Sequence, residues 1–201
     1  MAVSDWDFFL PVGGKSLDAT LYFSSPTSLK ASPSGAQSIR CCCLSRLAEA
    51  QNLPQGQLVS YYRRGSNPCP PGPVFRNQSA LGSPNMSNGY HGYFSTSSLI
   101  VYRRVADVDT SVGSIAVSLA NATWKRFRTT WWNGENLLGV PAICIRLEED
   151  DGAGNWVLKG TVYDTANQWK DSEVNRVGLT WQGGGTQTAN YDDTEIWIPT
   201  V

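Results

Sequence analysis

Apolar residues fall at every second position along most of this chain. Ala19, Leu21 and Phe23 alternate with their neighbours, as do Ile39, Cys41 and Cys43, then Val59 and Tyr61, then Leu99, Val101 and Val105. Ile115, Val117 and Leu119 follow. The last third repeats the pattern with Ile143, Ile145 and Leu147, with Trp156, Leu158 and Val162, with Val177, Leu179 and Trp181, and with Ile196 and Ile198. Successive side chains of a strand point to opposite faces, so a period of two marks a strand with one face buried and one wet. About ten such segments separated by turn clusters predict an all-β chain, built as a two-sheet antiparallel sandwich.

Turn chemistry separates the strands. Asp151-Gly152 lies between two alternating runs and predicts a hairpin turn, because both residues tolerate positive φ. Gly183-Gly184-Gly185 predicts another tight loop. Residues 66–92, with Pro68, Pro70, Pro71, Pro73 and Pro84 among Gly, Asn and Ser, predict a long irregular surface loop. Only Ser45 to Leu53 has a helical look. No repeat or linker divides the chain, so residues 1–201 are expected to form one domain.

Composition sharpens this picture. The 201 residues are 41% hydrophobic and only 16% charged, with 19 Gly, 11 Pro and 8 Trp. A chain of this length buries roughly 70% of its extended surface, enough for a core without disulfide staples. The five cysteines are odd in number and three are consecutive, Cys41-Cys42-Cys43, which suits no disulfide framework. Neighbouring thiols on a strand face opposite ways, so they read as small apolar fillers rather than one metal site. No run of 18 apolar residues spans a membrane. Met1 to Asp7 holds acids where a signal peptide has bases, which predicts cytoplasmic synthesis.

The net charge of −1 argues against nucleic acid and anionic membrane as partners. The charge is unevenly spread: residues 1–128 hold 12 basic and 6 acidic side chains, residues 129–201 hold 4 and 11. Either a sandwich interleaves the halves and cancels the field, or the subunit is dipolar and packs beside copies of itself.

Candidate chemistry is sparse. Gly13-Gly14-Lys15-Ser16 looks like the end of a phosphate loop, but Phe9 stands where that motif needs its first Gly. His91 is the only histidine, so a hydrolytic triad or zinc site lacks partners. It sits in an aromatic cluster, Tyr90-His91-Gly92-Tyr93-Phe94, read either as a loop-to-strand anchor or as a contact for a ligand. Asp150-Asp151 and Asp192-Asp193 are the candidate calcium ligands, solvated turns being the alternative reading. Trp156 and Trp181 fall on apolar faces and are expected in the core. Trp131 and Trp132 cannot both be buried on one strand, which leaves one of them to stack on a sugar or anchor an interface. The carboxylate spacings of sandwich glycosidases, Glu-x-Asp-x-x-Glu and Glu-x-Asp-x-Glu, are absent, which argues against an enzyme.

Residues 120–198 resemble concanavalin A-like and laminin-G-like jelly rolls. The resemblance rests on Trp124-Lys125-Arg126-Phe127-Arg128, on Gly139-Val140-Pro141 leading into Ile143-Cys144-Ile145-Arg146-Leu147, and on Arg176-Val177-Gly178-Leu179. Tyr191-Asp192-Asp193-Thr194-Glu195-Ile196-Trp197 completes it. It implies two antiparallel sheets, a last strand lying beside the N-terminal ones, and binding of glycans or proteins, sometimes with calcium. Domains of this look are also similar to bacteriophage virion proteins. The leading expectation is therefore a non-enzymatic protein of the particle surface, in the capsid decoration or tail, contacting copies of itself, other virion proteins and cell-surface glycan. The alternatives are a carbohydrate-binding lectin-like module and a divergent glycosidase.

Overall fold

The computed structural model describes residues 6–9, 13–18, 28–33, 40–45, 52–65, 70–79, 87–166, 168–169, 172–182 and 189–197. Among them, fourteen strands and no helix are present: β1 (Trp6–Phe9), β2 (Gly13–Asp18), β3 (Ser28–Pro33), β4 (Arg40–Ser45), β5 (Gly56–Arg64), β6 (Pro71–Asn77) and β7 (Gly89–Phe94), then β8 (Ser98–Val105), β9 (Val108–Ala116), β10 (Trp124–Glu135), β11 (Pro141–Asp150), β12 (Trp156–Asp164), β13 (Arg176–Gln182) and β14 (Ala189–Trp197). They form two seven-stranded sheets, β1-β4-β13-β6-β7-β8-β9 and β12-β11-β10-β5-β14-β3-β2. Every strand pair is antiparallel. The last strand lies between β3 and β5, beside the N-terminal strands as the resemblance implied.

The sheets face each other across an aromatic core. Phe75, Tyr90 and Phe94 come from the first sheet; Tyr62, Phe127, Trp131 and Tyr191 come from the second. Phe94 and Phe127 stack across the interface at 4.4 Å between ring centroids, and Phe75 stacks on Trp131 at 5.3 Å. Leu58, Ile143, Ile145, Leu147, Val177 and Leu179 fill the remaining core positions of their strands. The alternation therefore placed most of the core correctly, with two faces reversed. On β5 the core residues are Leu58 and Tyr62, so Tyr61 points outward and Val59 is buried on the outer side. On β12 Trp156 and Leu158 lie on the outer face while Val162 packs against the core. A bulge opposite Leu147 and Glu148 inserts a residue and exchanges the faces between them.

Residues 66–92 are not one loop. Pro71–Asn77 forms β6 and every residue in it is buried; β7 begins at Gly89. Pro71 and Pro73 sit in that strand, where glycine permits close backbone approach: a Cβ on Gly72 would lie 1.8 Å from the Gly92 carbonyl oxygen. The turn at Asp151-Gly152 is present between β11 and β12, with Gly152 at φ +84° and Gly154 at φ +89°. Residues 46–51 of the helical-looking stretch, the Gly183–Gly185 loop, and the Ala19, Leu21, Phe23, Ile39 and Ile198 positions lie outside the described residues. The same holds for the side chains of Cys41, Cys42, Cys43 and Trp181.

Candidate functional site

The aromatic cluster expected to meet a ligand is internal. Tyr90 points into the core, and its hydroxyl donates to Asp164 Oδ2 at 2.5 Å; Arg103 Nη1 holds the other oxygen of that carboxylate at 2.6 Å. Burial, with the Asp164 carboxylate beside it, pushes the Tyr90 phenol far above the ordinary tyrosine range. His91 and Tyr93 alternate to the other face of the sheet but are 1% and 5% exposed. His91 stacks on Tyr102 at 5.3 Å, meets Tyr93 edge-on, and has Nε2 3.2 Å from Asp109 Oδ1. Trp131 is fully buried, and its indole N–H donates to the Leu53 carbonyl at 3.1 Å. Tyr90, His91, Tyr93 and Trp131, expected as ligand or interface contacts, are thus buried among neighbouring side chains of this chain. Trp132 does face outward, as strand alternation requires, half-buried under the Arg146 guanidinium at 5.4 Å.

What the fold leaves available is the outer face of the second sheet. Directly opposed residues share a face, so cross-strand register lays its side chains in rows. Asp192, Tyr61, Arg126, Asp150 and Trp156 stand side by side across β14, β5, β10, β11 and β12. The next row holds Glu195, Val59, Arg128, Glu148 and Leu158, and the next Trp197, Gln57, Thr130, Arg146 and Thr161. Five strands spaced about 4.8 Å apart give a platform roughly 19 Å across.

Two depressions open on this platform and meet at Arg126. One, of about 320 Å³, is lined by Gln57, Val59, Arg126, Arg128, Trp156, Glu195 and Trp197. The other, of about 270 Å³, lies among Tyr61, Trp124, Lys125, Arg126, Glu149, Asp150 and the Asp151-Gly152 turn. The arginines are held on both sides. Arg128 covers the Trp156 ring at 4.6 Å and donates Nε–H to Glu148 at 2.7 Å; Arg126 lies 5.4 Å from the same ring and donates to Glu195 at 3.0 Å. Asp150 lies 3.5 Å from the other Arg126 nitrogen. Trp197 stays 56% exposed, its N–H donating to Glu195 at 3.0 Å. A solvent-facing indole beside fixed donors and acceptors is what the apolar face and hydroxyls of a sugar ring require.

The predicted acidic pairs both reach this face without gathering into a cluster. Burial raises the Tyr61 phenol, Arg126 lowers it, and Asp150, Asp193 and Asp192 add to the rise, so one member of the first pair and both members of the second act on one ring. Asp151 is occupied in its own turn: its carboxylate accepts from the Asn155 side chain and from the N–H groups of Asn155 and Ala153, which holds its carboxyl below the usual range. Asp150 accepts from Gly152 N–H, and Asp192 from Asp193 N–H. Among the described residues no group of three or more His, Cys, Asp or Glu is placed to hold a metal.

Glu149, behind Asp150, is buried enough to favour its neutral form, but Lys125 and Lys159 bind it and together hold its carboxyl below the usual range. A folded-state value below the unfolded one contributes stability above the unfolded value, about 4.3, and loses it as pH falls through the folded one. Melting temperature should therefore be level above about pH 5 and fall below about pH 4, with a shallower fall in Glu149→Gln. Identical acid limbs in thermal melts of the two proteins would remove this assignment.

Sequence reasoning missed most of this surface. Trp156 was assigned to the core, and Arg126 and Arg128 served only the resemblance. One signal was present: Trp124, Arg126, Arg128, Thr130 and Trp132 occupy alternate positions of one run, an aromatic-and-arginine face.

Together, the sheets and this open face define a concanavalin A-like, lectin-type jelly-roll sandwich. The carbohydrate-binding module CBM66 from Bacillus subtilis superposes with a TM-score of 0.62 at 10% identity, covering 96% of this chain and 95% of that one. The Ca2+/Man3GlcNAc-bound exoplasmic/lumenal domain of VIP36 gives 0.59 at 7% identity, over 98% and 87%. A legume lectin-like domain from Entamoeba histolytica gives 0.56 at 13%, over 98% and 92%. At these identities the likeness is one of fold. No protein-family model and no curated protein matches the chain. Two GH43 proteins, each matched over 38% of its own chain, and the PL-14 alginate lyase from Aplysia kurodai, matched over 87%, also superpose, so the fold by itself does not separate binding from catalysis.

Proposed function

We propose that this chain is a non-enzymatic, lectin-like carbohydrate-binding module, with its saccharide seated on the outer face of the second sheet. The observation that carries this is the depression where exposed Trp197 and arginine-capped Trp156 flank Arg126, Arg128, Glu195 and Gln57. Aromatic rings offer stacking area at low entropic cost, and side chains already locked in ion pairs present hydrogen-bond groups without further ordering. The platform is wide enough for several sugar units. The likeness in fold to a carbohydrate-binding module and a legume lectin-like domain supports the reading.

The test is a glycan array probed with the full chain, with and without a chelator. Binding to a defined saccharide set that persists in chelator is the expected result. A signal lost in chelator and restored by calcium assigns the ion a role through Asp150, Asp151, Asp192 or Asp193, and an array blank in both arms ends the proposal.

A second reading is residence on a phage particle among copies of itself, with the β10–β11 turn as the contact it would use. Leu137 and Leu138 stand there 88% and 85% exposed on a frame fixed by Asn136, which accepts from the N–H groups of Leu138 and Val140. Immunogold microscopy of particles from the source lysate should place label on head or tail; bare particles end this reading.

A further inference from the structure

We infer that the outer-face site takes uncharged saccharides and rejects those carrying carboxylate or sulfate groups. This rests on the proposed sugar-binding reading and adds the ligand class to it. The arginines crossing the platform look, in sequence, like an anion site. Their partners say otherwise. Arg126 is shared between Glu195 at 3.0 Å and Asp150 at 3.5 Å. Arg128 is bound to Glu148 at 2.7 Å, and Arg146 lies 4.0 Å from the same carboxylate. Three of the four guanidiniums on this face, all but Arg63 one row further along β5, thus meet carboxylates already in contact with them.

The cations of the second depression are matched too. Lys125 and Lys159 both bind Glu149. An anionic sugar arriving here would have to displace a carboxylate from its guanidinium and then sit against the others. That exchange gains one ion pair for one lost and adds like-charge repulsion, so it is unfavourable throughout. A neutral sugar needs no displacement. Its hydroxyls donate to the outer oxygens of Glu195 and Glu148 and accept from guanidinium N–H groups not spent on the ion pairs. Trp197 supplies stacking surface that carries no charge.

The experiment is calorimetric titration of the full chain with two probe sets at about 50 and about 500 mM salt. One set is neutral (cello-, xylo-, manno- and β-1,3-gluco-oligosaccharides); the other is anionic (oligoalginate, oligogalacturonate and sulfated galactan fragments). Binding from the neutral set alone is expected, with affinity changing less than about twofold between the two salts, since no ions are released. Glu148→Gln with Glu195→Gln frees Arg128, leaves Arg126 with Asp150 alone, and should admit the oligouronates at low salt, with the gain lost at high salt. Glu195→Gln alone is the milder companion and should show part of that gain. Oligouronates binding the unaltered protein as tightly as any neutral sugar would overturn the ligand class. The sugar site itself then still stands if Trp197→Ala abolishes that binding. Variants that fold and still refuse uronates also overturn the inference, because charge matching is then not the cause. Failure of every probe in both sets defeats the sugar-binding reading and the ligand class with it.

Discussion

Trp131→Ala should destabilise this protein by about 3–5 kcal/mol, the usual cost of removing a fully buried large aromatic side chain. The residue makes three contributions at once. Its ring stacks on Phe75 at 5.3 Å, tying the second sheet to the first. Its indole N–H satisfies the Leu53 carbonyl at 3.1 Å, just ahead of β5. Its ring edge also fills the space beside Gly56, where a Cβ would already lie 3.1 Å from the indole. Alanine leaves a cavity among Phe75, Leu53 and Gly56 and orphans a carbonyl, and these costs add to the lost transfer energy. Against a total stability of about 5–15 kcal/mol, such a loss brings the fold near its limit at ordinary temperature.

Trp132→Ala is the control one residue away. Trp132 stands half-buried on the outer face with a single guanidinium above it, so its loss should cost about 1 kcal/mol. Denaturant melts of the two variants read the difference as a shift in midpoint at unchanged slope. Equal midpoints would mean that the core does not depend on the column through Phe75 and Trp131.

Trp197→Ala should leave the fold intact and weaken saccharide binding about tenfold or more, roughly 1.4 kcal/mol or above. Trp197 is more than half exposed at the end of β14, and its indole N–H donates to Glu195 two residues away. Nothing in the core rests on it, so stability should stay within about 0.5 kcal/mol of the parent. Its ring borders the larger depression, where a sugar ring can stack on it. Calorimetry with the strongest hit of the glycan array, together with a thermal melt, separates the outcomes. A lost affinity at unchanged melting temperature supports the site. Undiminished affinity moves the saccharide away from this face. Trp156→Ala should weaken binding too, but with some loss of stability, because the guanidiniums of Arg126 and Arg128 rest on that ring.

Much of the architecture was legible in the residues because the two-residue period of a strand is a local property. Ile143, Ile145 and Leu147 could face one way only, and so could Val177 and Leu179; all five are in the core. The same rule separated Trp131 from Trp132 before any coordinates. The sandwich class and the β11–β12 hairpin at Asp151-Gly152 followed from periodicity and turn chemistry alone.

Tertiary structure decided where that period breaks and what it brings together. Trp156 reads as core in an alternating run, yet the bulge opposite Glu148 turns it outward under two guanidiniums, and a bulge depends on the partner strand. Pro71 and Pro73 read as loop, yet β6 runs through them as a buried strand because Gly72 and Gly92 let two backbones close together. The candidate site was invisible for the same reason. Gln57, Arg126, Glu148, Trp156 and Glu195 are as much as 138 residues apart in the chain and become neighbours only through strand order and register. Sequence alone determined which side chains could share a face of their own strand. Pairing between strands, a long-range choice made by the whole core, determined which faces became one surface.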